Sequence, residues 1–118
     1  MHKQGIARAI TSFTSKEIRK LIYQARPVYT GNGLDIKVMP IKETFARILI
    51  VTPRKIGSAP QRNLLKRRIK SLFYEEKYYE QPFCVVVFCK KGSADLSFDQ
   101  LKGILQGIYE ELKKRIST

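Results

Sequence analysis

The sequence predicts an α+β fold: a two-layer α/β sandwich with elements in the order helix, strand, strand, helix, strand, helix. Three observations carry this prediction. One alternating segment, 34–39, and two apolar runs, 45–52 and 83–89, have strand patterning. Three other segments space their apolar residues three and four apart behind polar caps. The 118 residues, 43% of them hydrophobic, suffice for one core and are too few for two. No repeat, low-complexity tract or linker divides them, so residues 1–118 form one domain.

Taken in order, residues 1–13 read as a flexible basic arm. Thr14-x-x-Glu17 is a capping box, with Phe13 and Ile18 spaced as a hydrophobic staple. The helix it starts carries Ile18, Leu21 and Ile22 to about Ala25, and Pro27 marks its end. Gly31-Asn32-Gly33 is a turn. Leu34, Ile36 and Val38 alternate with Asp35, Lys37 and Met39, as in a half-exposed strand. The second strand, 45–52, is close enough in sequence to pair with the first as a hairpin. A loop holding Pro53, Gly57, Ser58 and Pro60 leads into a helix from about Pro60 to about Tyr79. The run 83–89 is apolar on both faces, as in a central or parallel strand. Ser97-x-x-Gln100 caps a last helix whose stripe is Leu101, Ile104, Leu105, Ile108 and Leu112. Gly103 and Gly107 are poor helix formers there, and a close approach to another backbone would account for them.

The charge balance narrows the partners. Twenty-three Lys and Arg against ten Asp and Glu give +13, which calls for an anionic partner, nucleic acid or an acidic membrane surface. The longest apolar run falls far short of the about 20 residues that span a bilayer. The first ten residues lack the hydrophobic stretch of a signal peptide. Although they are basic and acid-free, as transit peptides are, the expected location is the cytoplasm. Cys84 and Cys89 are an odd number apart in one strand, so they face opposite sides and read as reduced core thiols.

The segment Arg54–Phe73 is the most informative. Stepping about 100° per residue from Arg62 puts Asn63, Lys66, Arg67 and Lys70 on one stripe and Leu65, Ile69, Leu72 and Phe73 on another. The apolar stripe suits a sheet and the cationic one a polyanion with fixed phosphates. Many basic helices are merely solvated. Here, however, Glu43 is the only acid between Asp35 and Glu75, so the cations have no acidic neighbours at i±4. Asn63 adds a neutral hydrogen-bonding group among them.

Nothing in the residues assigns catalysis to this chain. The single histidine, His2, lies on the arm. The carboxylates are scattered, paired only at Glu75-Glu76 and Glu110-Glu111, where adjacent helical residues diverge by about 100°. No phosphate-binding loop motif or metal-ligand spacing occurs.

Arg54-Lys55-Ile56-Gly57, followed by Arg62-Asn63-x-x-Lys66-Arg67-x-x-Lys70-x-x-Phe73, resembles the signature of the bacterial ribonuclease P protein subunit. The element order and the Leu96-Ser97-Phe98 cap fit as well, and the resemblance covers roughly 14–115. It departs at Leu64, where the family has a second arginine, at Pro53, where a serine is expected, and at Ile18 and Ile22, where the first helix usually carries phenylalanines facing a cleft. The resemblance implies a ribosomal protein S5 domain 2-like sandwich with a left-handed crossover through the basic helix. It also implies partnership with a catalytic RNA and with the single-stranded 5′ leader of precursor tRNA. Hydrolysis would belong to the RNA with its Mg2+, and the protein by itself would bind no cofactor, small-molecule substrate or membrane.

The implied RNA-binding set is Arg54, Lys55, Gly57, Ser58, Arg62, Asn63, Lys66, Arg67 and Lys70, with Gly57 and Ser58 letting backbone N–H groups approach RNA. The leader-strand cleft would use Ile18, Ile22, Lys37 and Arg47, by charge more than by base stacking, since no rich aromatic platform is evident. The competing reading is a ribosomal protein or general RNA chaperone on the same sandwich.

Overall fold

The computed structural model describes residues 3–41 and 43–117. Its helices are α1 (Lys3–Ala9), α2 (Ser15–Gln24), α3 (Ala59–Glu75) and α4 (Phe98–Ser117), and its strands are β1 (Arg26–Gly31), β2 (Leu34–Pro40), β3 (Ile48–Val51) and β4 (Phe83–Cys89). The strands form one sheet in the order β1-β2-β4-β3. β2 is antiparallel to both β1 and β4, and β3 runs parallel to β4. α3 is thus the crossover between two adjacent parallel strands, the unit expected of the basic helix.

One sheet face carries the main core. Leu34, Ile36, Val38, Ile48, Val85, Val87 and Cys89 meet Leu65, Ile69, Leu72 and Phe73 of α3 and Leu101, Leu105, Ile108 and Leu112 of α4. The apolar stripes expected of both helices are therefore the buried ones. On the opposite face Cys84 and Val86 lie under Leu21 of α2 and Ala25, the residue that ends it. The cysteines do face opposite sides, and burial raises both thiol pKa values, that of Cys89 to about 11. Among the described residues no helix is long and apolar enough to cross a membrane.

Four expectations need correction. The first concerns the sheet, which has a fourth strand, β1. Pro27 argues against a strand, yet β1 is an edge strand, where a missing N–H is tolerated, and its pairing slips between Pro27 and Tyr29. The second is the hairpin, which joins β1 to β2 instead of β2 to 45–52. Its turn uses positive φ at Asn32 (54°) and Gly33 (77°), the geometry that matches strand twist.

The third is the arm, which is not loose over its described part. Residues 3–9 are helical, Ile10 is fully buried, and the Ile10 carbonyl accepts the Ile48 N–H at 2.7 Å. Met1 and His2 lie outside the described residues. The fourth is the end of α3, which stops at Glu75. Lys77 turns left-handed (φ 55°), and Tyr78 then stacks on Tyr109 at 3.8 Å between centroids.

The glycines separate cleanly. A Cβ at Gly33 would lie 2.6 Å from the Ser93 backbone nitrogen, whereas Gly103 and Gly107 face open space, so no close backbone approach accounts for them. Gly33→Ala should therefore lower the melting temperature by several degrees. Gly107→Ala should raise stability by about 0.5–1 kcal/mol, because the helix loses a residue that is entropically costly to order. Parallel thermal melts of the two variants check both signs.

Candidate nucleic-acid interface

α3 is started by Ser58, whose hydroxyl accepts the Gln61 N–H while Gln61 Oε1 accepts the Ser58 N–H at 2.8 Å. That reciprocal cap occupies one of the two backbone N–H groups expected to approach RNA, that of Ser58. The Ser58 N–H is already taken by the helix, and a Cβ at Gly57 would lie 2.6 Å from Gln61 Oε1. Both residues shape the helix start, and the Ser58 N–H is not free for RNA. Arg54 and Lys55 project from a short 3₁₀ turn whose third residue, Ile56, is buried, so a fixed turn presents them to solvent.

Along α3, Asn63, Lys66 and Arg67 are exposed, and Arg62 and Lys70 are half-buried. Among the described residues none of these cations forms an ion pair. The Arg62 Nε is buried without a protein acceptor, which is costly to leave so. Lys66, Arg67 and Lys70 line one wall of a groove of about 350 Å³, whose floor is Ile48, Leu49 and Ile50 of the edge strand β3 and whose far side includes Thr11. Arg68 belongs elsewhere: its guanidinium donates to the Leu96 carbonyl at 3.2 Å and ties α3 to the start of α4.

The helix carries no acid in its first turn and no base in its last. No side-chain charge therefore offsets its dipole, although the cap already takes the Gln61 N–H and Pro60 has none to offer. Arg62 and Asn63 extend the cationic stripe to that end, toward Arg54 and Lys55.

The four cleft residues do not converge. Arg47 donates to Glu17 at 2.5 Å and to the Ser12 carbonyl at 2.8 Å, and its guanidinium lies 4.6 Å from the Phe13 ring centroid. It fastens α2 and the segment before it to the sheet, so it is not a cation awaiting a strand. With Leu21 facing the sheet, Ile18 and Ile22 lie about 60° and 100° to one side of α2, whereas Glu17 and Lys20 lie on the other. Arg47 lines the closed groove on the Glu17 side, about 90 Å³, with Phe13, Leu21, Met39 and Cys84. Ile18 is half-buried and Ile22 39% exposed on the open flank.

Lys37 stands 5.6 Å over the ring of half-buried Phe88. The apolar run of β4 implies burial of Phe88 along with its neighbours. It shares a face with Cys84 and Val86, but α2 covers those two more completely. Only the ten-residue length of α2 could have signalled that this aromatic ring stays partly open.

The family model described as Ribonuclease P matches residues 12–113. The Ribonuclease P protein component of Bacillus velezensis is 33% identical over 70 residues, 59% of this chain and 60% of that protein. The protein of the same description from Photobacterium profundum is 26% identical over 115 residues, 97% of each chain. The solved RNase P protein of Staphylococcus aureus superposes with a TM-score of 0.73 at 18% identity, over 88% of this chain and 95% of that one. That of Thermotoga maritima gives 0.71 at 19% identity, over 83% and 93%. At those identities the two structures bear on the fold alone.

The Arg47–Glu17 pair sets a pH dependence. The Arg47 hydrogen bond, chiefly, lowers the Glu17 carboxyl from 4.5 to about 2. A lowered folded-state value means that the stabilisation is complete above about pH 4.5 and is lost as pH falls toward 2. Glu17→Gln should melt below the unaltered protein at neutral pH, and the two should converge at the acid end. A gap that stayed constant from pH 7 to pH 2 would show that the carboxylate charge plays no part. Asp35, lowered by Lys90, titrates in the same direction in both proteins and cancels.

Proposed function

The chain belongs to the ribonuclease P protein family, and from that membership we propose that it is the protein subunit of a ribonuclease P ribonucleoprotein, acting in 5′-end maturation of tRNA. The α3 stripe binds the catalytic RNA. The 5′ leader of precursor tRNA runs over the open flank of α2, at Ile18 and Ile22, and over the sheet face at Lys37 and Phe88. The observation that carries this reading is the row Lys66, Arg67 and Lys70 beside the β3 groove, unpaired among the described residues and held on a helix whose other stripe is core. A merely solvated face would not need such rigid backing. Fixed cations lose little conformational entropy when they meet phosphates and release condensed counterions.

Hydrolysis is assigned to the RNA. Among the described residues no three His, Cys, Asp or Glu side chains gather as a metal site. In this reading Mg2+ is held by the RNA. What the protein contributes is affinity and placement: phosphates on α3, an unpaired strand on the sheet face, and a wall of apolar side chains between the two.

Reconstitution tests the function. Added to a bacterial ribonuclease P RNA at low magnesium, the protein should increase removal of the 5′ leader at the mature end, and alone it should cleave nothing. General stimulation of unrelated RNA folding without leader removal would favour an RNA chaperone instead. RNA affinity should fall with salt at a log–log slope of about −3 to −5, for four to six phosphate contacts.

Lys66→Ala with Arg67→Ala should weaken RNA binding by roughly 1–3 kcal/mol with little change in melting temperature, since exposed cations add little to folding. Ile69→Ala should instead cost roughly 2–5 kcal/mol of stability through a core cavity, with the affinity of the folded fraction kept. Equal melting losses in the two variants would contradict the separation of the stripes.

A further inference from the structure

The outer face of α2 is used by neither the core nor the ion pair. Tyr23 is 90% exposed in the last turn of this helix. Tyrosine is only a moderate helix former, and its ring gains nothing from solvent. Lys16, Arg19 and Lys20 stand seven, four and three residues before it, so they share its side of the helix. All three are exposed and, among the described residues, in no ion pair. The only acid of α2, Glu17, is held by Arg47 toward the sheet. Arg19 is also three residues before Ile22, so the surface runs without a break from the open flank, across Ile22 and Arg19, to Tyr23.

We propose that this outer face of α2 is a second contact for single-stranded RNA, with one unpaired base stacking on Tyr23 and the flanking phosphates on Lys16, Arg19 and Lys20. Stacking requires a base freed from a duplex, since paired bases present only their edges and backbone. Among the RNAs of the proposed function this favours the 5′ leader, specifically the stretch upstream of the nucleotides on the sheet face. The inference rests on the leader reading given above and extends the leader's path beyond the sheet. Lys16, Arg19 and Lys20 match a strand with one charge per nucleotide, and a flat ring between them tolerates any base.

The test is equilibrium binding of labelled precursor tRNAs to the holoenzyme reconstituted with a bacterial ribonuclease P RNA. Leaders of increasing length are compared with mature tRNA. Tyr23→Ala should weaken binding by roughly 5- to 100-fold, but only for leaders long enough to pass Ile22. Mature tRNA, short leaders and the catalytic RNA should bind as before. Tyr23→Phe should restore the affinity, because the ring and not the hydroxyl carries the contact. Lys16→Ala with Arg19→Ala should lower the salt slope for long leaders by about one for each phosphate deprived of its cation.

Melting curves of all variants should be unchanged, since these side chains are exposed. If long leaders bind Tyr23→Ala as tightly as the unaltered protein, the outer-face contact is wrong and the leader reading stands. If the unaltered protein does not distinguish long leaders from mature tRNA, the leader reading itself fails and this inference fails with it. A loss that is equal for catalytic RNA and precursor would assign the face to the other RNA and overturn the proposal.

Discussion

Both layers of the sandwich are fastened to β4. Its run Cys84–Val87 is buried at every position, with β2 antiparallel on one side and β3 parallel on the other. Val85, Val87 and Cys89 face the α3–α4 core, and Cys84 and Val86 face α2. A strand buried on both faces fixes the distance and angle between the helices above and below it, because both pack on the same few side chains. The two surfaces proposed for RNA, the α3 stripe and the open flank of α2, are thus set relative to one another by a strand of which only the flanking Phe88 stays partly open on the α2 side.

The electrostatics of α3 run against what would best stabilise it. A helix prefers acids at its start and bases at its end. α3 has neither, with Arg62 and Lys66 in its first half and Glu75 and Glu76 at its close. Its cations lie close together without acidic partners among the described residues, so they repel one another. Burial of Leu65, Ile69, Leu72 and Phe73 offsets this, each worth about 1.5–3 kcal/mol on transfer from water. Capping by Ser58 and Gln61 contributes about another 1 kcal/mol. A polyanion would relieve the repulsion that the fold tolerates.

What the sequence makes legible is what depends on near neighbours. The capping boxes at Thr14 and Ser97, the split between the stripes of α3, the opposed cysteines and the doubly buried strand all follow from spacings of two to four residues, and all are present. The same three-residue spacing marks Ser58 and Gln61 as a cap, but the basic context draws Ser58 into the expected RNA site. The remaining differences are non-local. Arg47 reads as an RNA contact because Glu17, its partner thirty residues away, cannot be paired with it from spacing. Ile10 looks like part of an arm because nothing in positions 1–13 shows that β3 will receive it. Pro27 speaks against a strand, and only the sheet order shows that it sits on an edge.

The sheet order also has a temporal consequence. β2 and β3 leave the ribosome early and within a few residues of one another, yet they never pair, because β4 belongs between them. Leu34 finds its β4 partner only when Cys89 has emerged. Until then the β1–β2 hairpin and β3 each present an unpaired edge, with the basic helix still in search of a surface to lie on. Pairings that span so much chain are slow to form and leave strand edges open to self-association in the interval. The strand at the middle of the sheet is the last to be synthesised, so the nascent chain is held short of its native state until about three quarters of its length is outside.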